Sequence, residues 1–352
     1  MKPLVSILIA AYNAEEWIAY TLQSALSQTW KPTEIVLVDD GSTDRTAAVA
    51  RRAGVTVVST RNRGLSAAIN HAFSLSHGDY IQYLDADDLL APDKIERQLA
   101  ALREGDSRRV LLSSPWAPFY YRTRHARFVR NSLWQDLSPV EWLLRKMSEG
   151  IHMQNATWLV SRELAVAAGP WDESLNYDQD GEFFSRVLVA SEGTRFVPET
   201  GIYYRASGTS SISYLGTSNT KRESLLRSMQ LHIQYLRSLE ESERVRKACL
   251  TYLQIWYHNF YPGRPDLATR LQAIAGQLGG RLKLNRLRWK YAWMEPVFGR
   301  RTATWAQMAF PHLKAFVLRR WDKAMFWLEA GDVAYGGPSE WRASLNGVKK
   351  GD

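Results

Sequence analysis

From residue 4 to residue 113, short apolar runs of strand length alternate with stretches whose apolar side chains recur at helical spacing, and few folds accommodate that alternation. Residues 4–10 form the first run, and by Trp17, Ile18, Leu22, Ala25 and Leu26 the period has become that of a helix. Residues 34–38 form a second run. It stops at Asp39-Asp40-Gly41-Ser42-Thr43-Asp44, a cluster of turn formers and helix caps leading into a helix over 43–53. A strand at 55–59, a helix over 65–76 ended by Gly78, a strand at 80–84, a helix over 92–104 and a strand at 110–113 that resumes the sheet continue the pattern. Strands joined this way run parallel, with right-handed crossovers, so the expected fold is α/β: a mostly parallel sheet with helices on both faces.

The fourth strand carries the most informative turn. Tyr80, Ile81, Tyr83 and Leu84 read as a buried strand, and Pro92 with Asp93 as the first turn of the next helix. Asp85, Asp87 and Asp88 therefore stand at a strand's carboxyl end, the edge at which open parallel sheets bind ligands. Carboxylates this close repel one another unless a cation or solvent intervenes, and hard oxygen ligands suit Mg²⁺ or Mn²⁺ held together with a substrate's phosphates. Asp85-Ala86-Asp87 is expected to seat a metal and a diphosphate; the plainer alternative is a solvated acidic turn capping the next helix. Tyr12 and the pair Asp39 and Asp40 leave neighbouring strand ends along the same crevice, where a ring stacks on a base and a carboxylate accepts from a base N–H. Arg61, Asn62, Arg63 and Gly64 bring cations and a close backbone approach, which makes Arg63 a candidate diphosphate contact. Each piece also has a structural alternative: Tyr12 as a core ring, Asp39 and Asp40 as helix caps, Arg63 as a solvated charge.

From Pro115 the alternation is lost, and Trp116, Pro118, Phe119, Tyr120 and Tyr121 suggest a segment crossing the front of the sheet. Helices follow over 139–147, 162–168 (closed by Gly169) and 183–190, with strands at 157–160, 195–198 and 201–205 and a polar loop at 207–213. Beyond residue 215, Leu225, Met229, Ile233 and Leu236 mark an amphipathic helix and 245–257 a second one. The expected organisation is a catalytic domain over 1–214, in halves 1–114 and 115–214, and a helical region over 215–352. That last region holds 23 Lys and Arg against 11 Asp and Glu, whereas the preceding 214 residues are slightly acidic. Trp289, Trp293, Trp305, Trp321 and Trp327 are interleaved with its basic residues, and no nucleic-acid fold motif is visible, so nucleic acid is not expected as a partner. Over 305–328, Phe310, Leu313, Phe316, Val317, Trp321 and Met325 stand among Lys314, Arg319, Arg320 and Lys323. That pattern fits a helix lying on a membrane surface or, equally, one packed on the catalytic domain. No apolar run approaches the ~20 residues that cross a bilayer, and Cys249 is the single cysteine, so a reducing, cytoplasmic setting is expected, with any membrane contact at the inner face.

Several of these segments together resemble a known family. Val5-Ser6-Ile7-Leu8-Ile9-Ala10-Ala11-Tyr12-Asn13, Ser24-Ala25-Leu26-Ser27-Gln28-Thr29, Val38-Asp39-Asp40-Gly41-Ser42-Thr43-Asp44 and Tyr83-Leu84-Asp85-Ala86-Asp87-Asp88 are similar, in order and loop context, to family 2 glycosyltransferases of the GT-A fold. The resemblance covers roughly residues 4–214. It implies an inverting transfer from a nucleoside-diphosphate sugar, a UDP-sugar first, to a hydroxyl of a glycan or lipid-linked acceptor in polysaccharide assembly. It further implies that Ala10 and Tyr12 line the nucleoside pocket, that Asp39 or Asp40 reads the base, and that Asp87 with Asp85 holds Mn²⁺ or Mg²⁺ on the diphosphate. Inversion requires a base on the acceptor side. Within Asn176-Tyr177-Asp178-Gln179-Asp180-Gly181-Glu182-Phe183, Asp180 takes the family's base position, with Asp178 and Glu182 as substitutes and an N-cap as the structural reading.

By the same resemblance Trp171 is a sugar-stacking wall, with a core ring as the plainer alternative, and His152 and Gln154 fall in the acceptor region, where a lone His is more often a satisfied structural residue than a catalyst. Two departures stand out: Ile69, not Arg, precedes Asn70, and Arg205-Ala206-Ser207-Gly208 replaces a loop in which relatives often carry His, which turns attention to Arg63 and Arg205 as phosphate contacts. Two other functions remain in view. A nucleotidyltransferase needs a glycine-rich basic loop after the first strand, which Tyr12-Asn13-Ala14-Glu15 is not; a non-catalytic sugar-nucleotide binder would not need the intact carboxylates or Asp180.

Overall fold

The computed structural model describes residues 2–206, 214–216, 218–261, 263–283 and 289–328. The expected polar loop at 207–213 lies outside them, as do the side chains of Trp289, Trp305 and Lys314. The chain runs β1 (Val5–Ala11), α1 (Ile18–Leu26), β2 (Thr33–Asp39), α2 (Thr46–Arg52), β3 (Thr56–Ser59), α3 (Leu65–Leu75) and β4 (Tyr80–Tyr83). These are followed by β5 (Leu89–Leu90), α4 (Lys94–Ala100), β6 (Val110–Ser113), β7 (Trp116–Phe119), α5 (Pro139–Glu149), β8 (Val160–Ser161), α6 (Arg162–Ala168), α7 (Gln179–Ala190), β9 (Gly193–Phe196) and β10 (Ile202–Arg205). Helices then dominate: α8 (Asn219–Leu239), α9 (Glu243–Trp256), α10 (Pro265–Gln277), α11 (Trp289–Ala292) and α12 (Met294–Leu328), the last changing direction at Gly299 (φ +77°).

Five strands in the order β3-β2-β1-β4-β8 form the main sheet, parallel except for β8, which runs antiparallel to β4. Successive side chains of a strand point to opposite faces, and the sheet accordingly divides two cores. Val5, Ile7, Ile9, Ile35 and Leu37 meet Ile18 and Leu22 of α1 and Ile95 of α4 on one face. On the other, Leu8, Val36 and Val38 meet Ile69 and Ala72 of α3. The approach of β4 to β1 is close enough to require glycine: a Cβ on Gly78 would lie 2.4 Å from Ser6 Oγ. In its place, the Gly78 amide donates to that hydroxyl at 2.7 Å.

Two expectations change. The strand at 110–113 does not resume the main sheet; β6 pairs with β9 and touches the larger sheet through a single bridge, Leu112 to Leu159. The segment crossing the front becomes β7, which pairs with β10, and β10 in turn pairs with β5, two residues that the proximity of Pro92 had hidden in a turn.

The core does not stop at residue 214. Trp142 and Met147 of α5 and Phe184 of α7 share one apolar cluster with Leu225 and Met229 of α8, Leu253 of α9 and Leu271 of α10. Trp171 lies in this cluster too, stacked on Phe183 at 4.6 Å and 3% exposed. It is a core ring and not a sugar-stacking wall, because α7 starts early enough to cover its face. A chain ended at residue 214 is expected to lose its cooperative thermal melt, since the apolar sides of α5 and α7 would face water. A sharp transition from that truncated chain, followed by circular dichroism, would contradict the shared core.

Candidate active site

The carboxyl ends of β1, β2 and β4 open on one crevice, and backbone-to-side-chain hydrogen bonds tie their loops together. Asn13, held at φ +48°, donates its amide to Ser42 Oγ (2.9 Å) and accepts from the Thr43 amide at Oδ1 (2.9 Å), joining the first two loops. Asp40 joins the second to the third: its two oxygens accept from the amides of Arg63 (2.9 Å) and Gly64 (2.8 Å), at the start of α3. Among the described residues the Asp39 carboxylate accepts only from the Ser42 amide, at 3.2 Å, through one oxygen. Of the two acids expected to read a base, Asp40 is thus occupied in holding a loop, and Asp39 keeps an oxygen available. Tyr12, directly after β1, has half its surface exposed, and Ala10 is partly buried. Arg63 pairs its guanidinium with Glu173 at 3.0 Å in an exposed ion pair. Glu173 also accepts from the side chain of Asn70, so the third loop is turned toward the 170s.

The acidic turn after β4 is braced from the chain that precedes β8. Asp85 accepts from Asn155 Nδ2 (3.0 Å) and Gln154 Nε2 (3.2 Å), and Gln154 Nε2 also donates to Asp88 at 2.6 Å. Burial, then the charges of Asp87 and Asp180, push the carboxyl of Asp85 up to about 7. Asp88, fully buried, lies well above the usual carboxylate range through burial and then the charges of Asp87 and Asp85, and accepts from the Arg205 amide at 2.7 Å. Arg205 itself is only 2% exposed. Its Nε donates to the Asp87 carbonyl and its Nη1 to the Tyr120 carbonyl, both at 2.8 Å, while the guanidinium lies over Trp17 (3.8 Å) and Phe119 (4.4 Å). Burial brings it down to about 10, and the nearby Asp87 and Asp88 work against that fall. The expectation that Arg205 contacts a diphosphate does not survive this geometry. It buttresses the acidic turn from behind, with backbone carbonyls and ring faces taking the place of a phosphate.

On the opposite side of the crevice, α7 begins at Gln179, four residues before the expected start, because Asp178 adopts the left-handed conformation (φ +60°) at its N-cap. The Asp178 side chain folds over Gly181, where a Cβ would lie 2.1 Å from Asp178 Oδ1. Asp180 therefore sits inside the first helical turn, not at the cap, where the helix dipole favours a negative charge. Glu182 is 1% exposed and held by Arg186 (2.6 and 2.9 Å) and by the Tyr235 hydroxyl (2.6 Å). Asp178 accepts from Ser228 Oγ at 2.7 Å. Among the described residues no hydrogen bond is made to the Asp180 carboxylate, which sets it apart from both substitutes. Its charge acts on Asp85, His152 and Tyr177, which puts it within electrostatic reach of the acidic turn after β4. His152 packs against Trp116 (5.4 Å), whose ring meets the edge of Tyr204 (5.9 Å).

The donor set fits a hard divalent cation. Asp85 and Asp87 offer oxygen ligands in a site where burial and mutual repulsion raise Asp85, a cost that a cation relieves. No cluster of three His, Cys, Asp or Glu is poised to hold a metal among the described residues, so phosphate oxygens would complete such a site. Sequence reasoning missed Asn155 as a support of the turn and Arg205 as its buttress. Their only signal was a polar residue next to a hydrophobic run.

Glycosyl transferase family 2 matches residues 6–149. An uncharacterized glycosyltransferase of Rickettsia typhi is 32% identical over 199 residues, 54% of this chain and 60% of the relative. Chondroitin synthase of Escherichia coli is 42% identical over 107 residues, 29% of this chain and 16% of that protein. The chain thus spans about 60% of the length of the Rickettsia relative it matches. Among solved structures, residues 1–349 of S. aureus TarS in complex with UDP-GlcNAc superpose with a TM-score of 0.62 at 16% identity, covering 79% of this chain and 81% of that one. Mannosyltransferase PcManGT from Pyrobaculum calidifontis, in complex with GDP-Man and Mn²⁺, gives 0.50 at 18% identity over 92% and 88%. These superpositions fix the fold as GT-A. Replacing Asp88 with Ala is expected to cost about 1–3 kcal/mol for the Arg205 amide it orphans, with Gln154 Nε2 left to Asp85 alone; an unchanged urea midpoint would show that the Arg205 amide does not depend on it.

Proposed function

We propose that the chain, which the glycosyl transferase family 2 model matches over residues 6–149, transfers a sugar, with inversion, from a nucleoside-diphosphate sugar to a hydroxyl of a glycan or lipid-linked acceptor in polysaccharide assembly. The observation that carries the reading is Asp180: an acid in a crevice, opposite the β4 acids, with no hydrogen bond to its carboxylate among the described residues, whereas Asp178 and Glu182 are engaged. Tyr12 and Ala10 line the nucleoside side, with Tyr12 stacking on the base and Asp39 accepting from it. The acceptor lies along Trp116, His152 and Tyr204, whose ring faces suit the C–H faces of a pyranose.

In the reaction the acceptor oxygen attacks the anomeric carbon from the face opposite the diphosphate. The carbon–oxygen bond to the acceptor forms as the bond to the phosphate breaks, the electron pair leaves with the nucleoside diphosphate, and the hydroxyl proton passes to the Asp180 carboxylate. Mn²⁺ or Mg²⁺, when held by Asp87 and Asp85, supplies charge neutralisation for the diphosphate. Arg205 keeps the loop of Asp87 in place, and Asn155 and Gln154 orient Asp85. The bound UDP-GlcNAc and GDP-Man of the TarS and PcManGT structures, and the Mn²⁺ of the latter, support a sugar-nucleotide donor and a divalent metal here.

Contact with an anionic lipid surface is part of the same proposal, at the cytoplasmic face, and α12 supports it. Its Asp322 and Phe326 are buried, whereas Phe310, Leu313, Phe316, Val317 and Trp321 are half or more exposed in a basic stretch. No helix among the described residues is long and apolar enough to cross a membrane.

Asp180→Asn is expected to lower transfer by about 10²–10⁴-fold while nucleotide-sugar binding by calorimetry holds; normal turnover from that variant would remove Asp180 as the base. Asp87→Ala should weaken donor binding measured in Mn²⁺ by tenfold or more, roughly one lost charge-assisted contact, and equal affinities would end its metal role. Vesicles containing phosphatidylserine should float the full-length chain but not a Phe316→Glu/Trp321→Glu variant, and co-flotation of both would clear α12 of membrane contact.

A further inference from the structure

Behind the first turn of α7 lies a buried cluster with no part in the chemistry described above. Lys146 of α5 is buried, yet among the described residues its ammonium makes only long contacts: 3.4 Å to the Gly181 carbonyl, 3.4 Å to Ser185 Oγ and 3.5 Å to His232 Nε2. Contacts of that length do not by themselves hold a charge in the interior. Burial lowers its pKa, and Asp178, Asp180 and Glu182 oppose that change. The dependence is mutual: burial pushes Asp178 up to about 6, Lys146 pulls it back, and Asp180 and Glu182 push it further. Glu182 has its own cation in Arg186, 2.6 Å away.

The remaining groups close the cluster from the C-terminal helices. His232 of α8 is fully buried, with Nδ1 2.9 Å from the Tyr252 hydroxyl of α9 and 3.9 Å from Asp178 Oδ2. Burial and then Lys146 drive its imidazole toward the neutral form. The groups on which the Asp180 charge acts are Asp85, Lys146, His152, Tyr177 and Asp178, and burial works against a charge on His152.

We propose that Lys146 is the buried countercharge of the acidic first turn of α7, a positioning residue that holds Asp178 and Asp180 together on one helical turn, with His232 and Tyr252 as its neutral backing. Three acids within five residues repel one another, and facing Asp85 they would open the start of α7 or take up protons unless a cation stood behind them. Lys146 is placed to do this without entering the crevice. Its meaning for catalysis rests on the reading of Asp180 as the base; its meaning for the fold does not.

The test is the thermal melting of the full chain, Lys146→Met, Asp178→Asn and the double variant between pH 5 and pH 8. The folded pKa of Asp178 exceeds its unfolded value, so the native state holds the extra proton and stability falls as pH rises toward the folded pKa. Without Lys146 that folded value moves higher and the fall continues to higher pH. The melting gap between wild type and Lys146→Met should therefore widen from pH 5 to pH 8, by about 2–4 °C or more for a chain of this size. Adding Asp178→Asn should narrow it again, since Asn tolerates the left-handed conformation and carries no charge. Lys146→Gln repeats the test should the methionine variant not fold. A gap that is flat with pH, or one that Asp178→Asn leaves unchanged, overturns the proposal. Retained turnover in Asp180→Asn removes the base reading and leaves these melting curves standing; a flat gap beside an inactive Asp180→Asn removes only the role of Lys146.

Discussion

Like charges crowded into a low-dielectric crevice are the constraint around which this protein is arranged. Asp85, Asp87 and Asp88 come from one strand end and Asp178, Asp180 and Glu182 from one helix start, and the field of one group reaches the other. Each acid that builds the crevice has its partner close at hand: Asp88 has Gln154 and Arg205, Glu182 has Arg186 and Tyr235, and Asp40 has two backbone amides. Asp180 is left as the acid without such a bond among the described residues. A charge that the fold has not already neutralised is one that a substrate proton or a cation can neutralise, which separates structural acids from reactive ones.

The C-terminal helices take part in this arrangement at both ends of the crevice. At the start of α7, Ser224 of α8 accepts from the amides of Asn176 and Tyr177, and Ser228 donates to Asp178, so the approach to α7 is shaped by a helix forty or more residues downstream. Toward the acidic turn after β4, the buried carboxylate of Asp322 in α12 accepts from the amides of Tyr121 and Arg122 and pairs with the Arg122 guanidinium at 2.7 Å. Tyr121 in turn meets Trp17 at 5.2 Å, and Trp17 lies under the Arg205 guanidinium. A continuous set of contacts thus runs from the exposed apolar side of α12 to the backbone carbonyl of Asp87. Removing one partner of such a buried pair is more damaging than its surface counterpart, because the other charge is stranded.

Much of roughly the first 100 residues was legible in the sequence because its signals are local. The runs ending at Ala11, Asp39 and Tyr83 show their strand period directly, and the turn residues after them name their own geometry. Where the reading slipped, a longer-range interaction had overridden the local one. Residues 110–113 look like any sheet strand, but their partner is β9, some eighty residues away; Leu89 and Leu90 become a strand only because β10 returns beside them. Trp171 and Arg205 drew functional readings as an isolated ring and an isolated cation. One is stacked between α7 and β4, the other between two aromatic faces, and neither packing partner is near in sequence.

By itself the sequence determined which residue types stand at the strand ends, the period that makes those strands and helices, and hence the parallel sheet and the acidic crevice at its carboxyl edge. Those properties follow from hydrophobic spacing and turn chemistry, which act over a few residues. Only the tertiary structure decided which acid is spent on holding a loop and which keeps a carboxylate without a hydrogen bond among the described residues, because hydrogen bonding and burial depend on neighbours brought together from far along the chain. Asp39 and Asp40 are chemically identical, as are Asp178 and Asp180; their different surroundings come from what folds against them.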